Sequence, residues 1–231
     1  MSQSTETVPD TGTEPKSLHP FSGFLLPGVC FTSGYCVWLL DMESTPNPIE
    51  SYKEVWVITP DDEVTLYIDP VEAAPYVELY HNFDRVVGAD ITWEQADLSG
   101  ITAEMNAEDG STLSIQTTLG SSTGTHLLNA ITTVTPQPVL RTSIGESISN
   151  LSFGLLMDAN GLNVAGFTDG QEPYRVEAET LRVITEASAT LNDEDLGEVS
   201  PPDRRIEFGD AIVPNEPFVS FGELFLPFAA E

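Results

Sequence analysis

Beyond residue 50 the chain is cut into short β-branched runs by turn residues, a pattern that leaves little room for helices. Val55-Trp56-Val57-Ile58-Thr59 runs into Pro60-Asp61-Asp62, and Val64-Thr65-Leu66-Tyr67-Ile68 ends at Asp69-Pro70. Short runs rich in Val, Ile, Thr and aromatic residues, bounded by Pro, Asp and Gly, are the signature of strands joined by tight turns. Ile91-Thr92-Trp93, Ile101 to Met105 and Leu113 to Thr117 alternate with the two-residue period of a strand, and Glu108-Asp109-Gly110 is a hairpin signal. Leu155-Leu156-Met157 and Leu162-Asn163-Val164 flank Asp158-Ala159-Asn160-Gly161 in the same manner. Tyr174 to Glu179 and Leu181 to Ile184 alternate charged with apolar residues, as strands with one wet face do. Short helical turns fit Ile68 to Tyr80 and Thr125 to Ala130, where Thr and Pro break anything longer. The expected class is all-β: a jelly-roll β-barrel or sandwich, with surplus strands for a second small β subdomain.

Charge sets the solvent and the partners. The chain carries 37 Asp and Glu against 8 Lys and Arg, a formal charge of −29 over 231 residues. Nucleic acid is held by neutralising its phosphates with cations. Here these are scattered singly at Lys16, Lys53, Arg85, Arg141, Arg175 and Arg182, with Arg204-Arg205 the one adjacent pair. Nucleic acid and anionic headgroups are therefore disfavoured as partners. With 40% hydrophobic residues the chain still has material for a core, so the charge does not signal disorder. A folded chain at this charge repels itself unless salt intervenes, and at molar ionic strength the screening length is about 3 Å. The composition reads as that of a halophile's protein.

Met1 to Pro20 is polar and acidic, lacks the basic start of a signal peptide, and reads as a flexible arm that a partner orders; residues 21–231 form the core. Phe21 to Leu40 holds no charged residue and is long enough to span a bilayer. Gly23, Pro27, Gly28, Thr32, Ser33 and Gly34 punctuate it as a buried hairpin would. In such a hairpin Thr32-Ser33-Gly34 forms the loop and Cys30 faces Cys36, near enough for a cross-strand disulfide; two reduced, buried thiols are the alternative. The chain closes on an aromatic run whose Phe218, Phe221, Phe225 and Phe228 fit either a last core strand or a contact with a neighbouring subunit.

A search for chemistry returns little. Gly120-Ser121-Ser122-Thr123-Gly124 matches the nucleophile-elbow pattern by letter, but His126 follows Ser122 too closely to arrive from a distant loop. His19, His81 and His126 sit singly, without metal-ligand spacing, and His81-Asn82-Phe83-Asp84 reads as a polar loop. Asn192-Asp193-Glu194-Asp195-Leu196-Gly197-Glu198 is the densest carboxylate cluster; it lacks EF-hand spacing and reads as a solvated loop, with a hard cation from Asp193 to Glu198 as the alternative. Asn150-Leu151-Ser152 is a glycosylation sequon by letter. Catalytic, cofactor-binding and metal-binding residues are not expected.

Along its whole length the chain resembles the single jelly-roll major capsid proteins of membrane-containing icosahedral viruses of haloarchaea. The resemblance is carried by the Met1 to Pro20 arm, the Thr- and Val-rich strands from Val55 onward and the Phe-rich close at Phe218 to Phe228. It implies a structural subunit, not an enzyme, made in the cytoplasm of a halophilic host. Such a subunit assembles with itself and with a second, related capsid protein into the virion shell over an internal membrane, without a cofactor. It implies a tower built from surplus strands at roughly residues 84–136, and assembly that weakens as salt is removed. Ser51-Tyr52-Lys53-Glu54 before Val55-Trp56-Val57 carries a rival resemblance, to acetoacetate decarboxylases, which implies an enzyme with Lys53 as reactive amine. That lysine has Glu50 and Glu54 beside it in sequence and no basic neighbour.

Overall fold

A computed structural model describes residues 17–96, 99–121 and 163–228. The uncharged stretch from Phe21 is a hairpin: β1 (Leu18–Cys30) pairs antiparallel with β2 (Cys36–Ser44). The chain reverses at Thr32-Ser33-Gly34, where the Phe31 N–H donates to Tyr35 O and Gly34 takes φ +86°. Cys30 and Cys36 face each other across the hairpin and are joined as a disulfide. β3 (Tyr52–Ile58) and β4 (Val64–Asp69) extend the meander. A 3-10 turn at Val71–Ala73 and the single-turn helix α1 (Ala74–Val77) then return the chain to β5 (Arg85–Ala96), which starts parallel to β4. β6 (Gly100–Ala107) and β7 (Thr112–Gly120) form a second hairpin around Glu108-Asp109-Gly110. Next come β8 (Ala165–Phe167), the 19-residue β9 (Pro173–Leu191), β10 (Glu194–Asp195), the small hairpin β11 (Glu207–Phe208) and β12 (Ala211–Ile212), and β13 (Phe218–Pro227).

These strands close on themselves. β9 pairs with β13 through Arg175 to Val183 and with β7 through Val183 to Leu191, so Val183 has a partner on each edge. β13 in turn pairs with β1. The hydrogen-bonded path β1 to β7, β9, β13 and back to β1 is an all-β barrel. Closure removes the unpaired edges through which open sheets aggregate. β5 makes the complementary switch, pairing with β4 through Arg85 to Gly88 and with β6 from Ala89 onward.

Burial explains the sequence pattern. One cluster, including Leu26, Leu39, Val55, Tyr67, Ile91, Met105, Ile115, Ile184 and Val219, draws on every strand of the ring and fills its interior. A second lies on the outer face of β1 to β4 and includes Trp38, Trp56, Leu66 and Ile68; Ala74, Val77 and Tyr80 after β4 and Ile206, Phe208 and Val213 around β11 and β12 cover it. β2 and β3 are thus buried on both faces, which is why they read as unbroken apolar runs and not as alternating ones.

Arg85 to Gly120, within the segment considered for a tower, supplies β5, β6 and β7, three staves of the ring. Residues 122–136 of that segment, with Ser122 and His126, the Met1 to Lys16 part of the arm and the sequon at Asn150 lie outside the described residues. Phe218 and Phe225 of the closing run are buried within the subunit, Phe221 packs against Phe24, and Phe228 meets His19 edge-on. Asn192 and Asp193, both at positive φ, form the two-residue turn between β9 and β10, and Asn192 Oδ1 accepts from the Thr112 N–H.

Two glycines let the wall bend. Gly23 and Gly222 are directly opposite across β1 and β13, with φ of +156° and +150°. Each also sits at a register shift against its other neighbour, β2 for Gly23 and β9 for Gly222. A Cβ on Gly23 would lie 1.7 Å from Asp41 O, and one on Gly222 2.3 Å from Glu177 O. Glycine at such corners is the means by which a sheet curls into a barrel. Gly23→Ala is expected to destabilise the protein by about 2–4 kcal/mol in chemical unfolding. Gly110→Ala, at a turn where nothing lies within 4 Å of the added methyl, should cost about 1 kcal/mol through its positive φ alone.

Candidate functional site

The outer face of the meander carries the densest group of ring contacts among the described residues. Trp38 of β2 and Trp56 of β3 are register partners, and their rings stack with centroids 5.2 Å apart and planes 4° from parallel. Directly opposed aromatic residues on adjacent strands stabilise one another in this way. Phe208 of β11 meets both rings edge-on at 5.1 and 5.0 Å, and His81 meets Trp56 at 4.8 Å. Beside this cluster, between barrel wall and cover, lies a cavity of about 110 Å³ whose lining includes Trp38, Trp56, His81, Tyr174, Val176 and Phe208. No Lys, Arg, Asp or Glu is among its described lining residues.

The His81 ring is held from outside the cavity. Its Nδ1 is 2.6 Å from Asp169 Oδ1, while Asp169 Oδ2 accepts from the Asn82 N–H and from Asn82 Nδ2. Burial works to raise the Asp169 carboxyl, but the hydrogen bonds from His81 and Asn82 outweigh it and hold the group below the usual carboxylate range. An ionised carboxylate can only accept, so the His81 Nδ1 carries the proton of this hydrogen bond. The turn bearing Asp169 is stitched down by the Gly170 N–H, which donates to Tyr80 O, and a Cβ at Gly170 would lie 2.6 Å from that oxygen. Tyr80 itself is anchored by its hydroxyl, which donates to Pro227 O.

Beneath Trp56 lies a buried acid. Glu54 is 2% exposed and accepts a 2.6 Å hydrogen bond from Trp56 Nε1 through Oε2. Burial pushes its carboxyl up to about 8, against a smaller lowering by that hydrogen bond, so at neutral pH the group is mostly protonated.

Lys53 points the other way. Neighbours along a strand face opposite sides, so Lys53 shares the barrel-interior side with Val55 and Val57, whereas Glu54 and Trp56 face the cover. Its register partners are Asp41 and Asp69, its Nζ donates to Ile91 O at 2.9 Å, and it lies 5.5 Å from the Trp93 ring. Trp93 Nε1 donates to Asp41 Oδ2, and burial raises the Asp41 carboxyl. The lysine weighed as a reactive amine therefore serves the end of the barrel interior, on the opposite face from the cavity. Of the residues weighed in the sequence for chemistry or for subunit contacts, His81 and Phe218 are among the described lining residues of the cavity. Asp169 was missed, because its partner lies 88 positions away in the chain and no local pattern announces the pairing. The apolar runs through Trp38 and Trp56 held the one usable signal, since a strand buried on both faces requires a cover.

The Glu54 arrangement has a pH signature. A carboxyl near 4.5 in the unfolded chain and about 8 in the folded one leaves the native state with the extra proton between these values. Stability is then fully present below about pH 4.5 and falls as pH rises towards 8. Glu54→Gln, which keeps an acceptor for Trp56, is expected to remove most of this slope and to melt above the parent at pH 8 when both are followed by circular dichroism in molar KCl. Comparison with known proteins gives no matching family model, no matching curated protein and no matching solved structure.

Proposed function

We propose that this chain is a halophilic binding protein whose β-barrel carries a site for a small neutral apolar molecule between its outer wall and its cover. The observation that supports the reading is the cavity of about 110 Å³ beside the Trp38 and Trp56 stack. An engineered apolar cavity of roughly 150 Å³ stays dry and takes up benzene, so the volume suits a ligand of that order. A ligand enclosed here is removed from water on a largely aromatic and aliphatic surface, the usual character of small-molecule sites. A carboxylate or phosphate would meet no described cation at the wall and would be desolvated without compensation.

Of the closing phenylalanines, Phe218 and Phe225 are buried within the subunit, whereas Phe221 and Phe228 are half-buried, so the shell-subunit reading draws on the latter pair alone. The decarboxylase reading needs Lys53 in a pocket with the substrate, and the cavity lies across β3 from it.

Toluene at a hundredfold excess over its dissociation constant is expected to stabilise the full chain in molar KCl by about 2.7 kcal/mol, read as a rise in melting temperature. Ala211→Phe, which places a ring in the cavity, should abolish the rise. An unchanged melting temperature across a saturating toluene series would reject the proposal.

A further inference from the structure

Glu54 is enclosed by the segment that follows β4. It stands on β3 between Tyr52 and Trp56, which share its face of the strand. Trp56 meets His81 at 4.8 Å and Phe83 at 4.9 Å between ring centroids, and Tyr52 is close enough to Tyr80 for the two to interact electrostatically. Residues 74–83 therefore pass over the acid. β2 and β4 oppose Glu54 with Leu40 and Ile68, and β1 and β13 bring Phe21 and Leu226 to the same cluster. The titratable groups on the elements that enclose it are Tyr52 on its own strand and Tyr80 and the His81–Asp169 pair on the cover, with Glu172 next to Tyr80. Among the described residues Glu54 has no ion-pair partner. Its hydrogen bond comes from the neutral Trp56 Nε1, and Lys53 turns its ammonium to Ile91 O on the opposite face.

A carboxylate formed there without a cation or water beside it is unfavourable, so the closed arrangement requires the proton. We infer that residues 71–83 form a lid over the outer wall, and that the lid opens when Glu54 gives up its proton to water. β3 is in no position to move and relieve the charge, since it is paired with β2 and β4 along its length. The lid is free of that restraint: it adds no strand to the sheet and meets the wall through Ala74, Val77 and Tyr80, whose hydroxyl donates to Pro227 O. It is also tied to the turn at Asp169, through His81, Asn82 and Tyr80 O. Segments with few ties to a core are the ones that open locally. The closed lid keeps Glu54 protonated up to about pH 8, and the open, hydrated one up to the ordinary 4.5. Opening is therefore rare in acid, becomes about tenfold more frequent per pH unit between these values, and levels off above them. His81 lines the cavity, so the same motion uncovers it. Lid opening is a property of the chain with or without a ligand in the cavity.

The test is amide hydrogen exchange of the full chain in molar KCl, read by NMR from about pH 5.5 to about 7.5 and corrected for intrinsic exchange, on the parent, Glu54→Gln and Tyr80→Phe. The reporters are the Asn82 N–H, held by Asp169 Oδ2, and the Gly170 N–H, held by Tyr80 O, because both bonds break when the lid lifts. The reference is the set of amides in the β2 and β3 pair. In the parent, protection of the reporters is expected to fall about tenfold per pH unit, with β2 and β3 better protected at every pH. In Glu54→Gln it should stay flat; Glu54→Met takes its place if that variant does not fold. Tyr80→Phe removes the tie to Pro227 O and should speed reporter exchange by about fivefold at every pH with the slope retained. Both Glu54 variants leave His81 and Asp169 in place, so a slope that persists in them belongs to that pair and overturns the inference. A flat profile in the parent overturns the coupling. Reporters that exchange only as fast as β2 and β3 place the effect on the whole fold and overturn the lid. No ligand is added, so each of these failures leaves the proposed binding function standing.

Discussion

A single strand closes the molecule. β9 runs 19 residues and joins β13 with its first half and β7 with its second, so the meander that begins at β1 returns to its own start. Without that doubled pairing the chain would be an open, strongly curved sheet with exposed edges at β7 and β13. Closure also fixes which residues are inside, because every strand of the ring contributes to one interior cluster. The curvature this demands is met at Gly23 and Gly222, where two backbones approach too closely for any side chain.

Once the interior is filled, the outer face of β1 to β4 is left apolar and must be covered. The segment around α1, the β11 and β12 hairpin and the turn at Asp169 do this, tied down by backbone hydrogen bonds and by His81. The cover meets the wall through rings standing edge-on to the stacked indoles, and the cavity lies beside them. Its buried surroundings also explain why Glu54 holds its proton to about pH 8 and why Tyr80 is pushed up to about 12.

The strands and their turns were legible in the sequence because they depend on local chemistry. Gly34, Gly110 and the Asn192-Asp193 pair mark reversals that the backbone makes at those residues. The site was not legible in the same way. His81 reads as part of a polar loop until Asp169, far along the chain, gives its ring an orientation. Glu54 reads as a neighbour of Lys53 until strand alternation sends the two to opposite faces. β9 reads as two strands because charged residues interrupt its apolar ones, yet its pairing with β13 carries on past Thr180, across a register shift, to Val183, where β7 takes over as partner. Charge of −29 bears on solvent and solubility and says nothing of where the strands or the cavity lie.

The central claim, that the space beside Trp38 and Trp56 is a true apolar binding site, is tested most directly by diffraction from crystals of the full chain pressurised with xenon. A xenon peak within the walls formed by Trp38, Trp56, Val176 and Phe208 is the predicted result. Density there from protein side chains or hydrogen-bonded water, with xenon absent or bound elsewhere, would contradict the account.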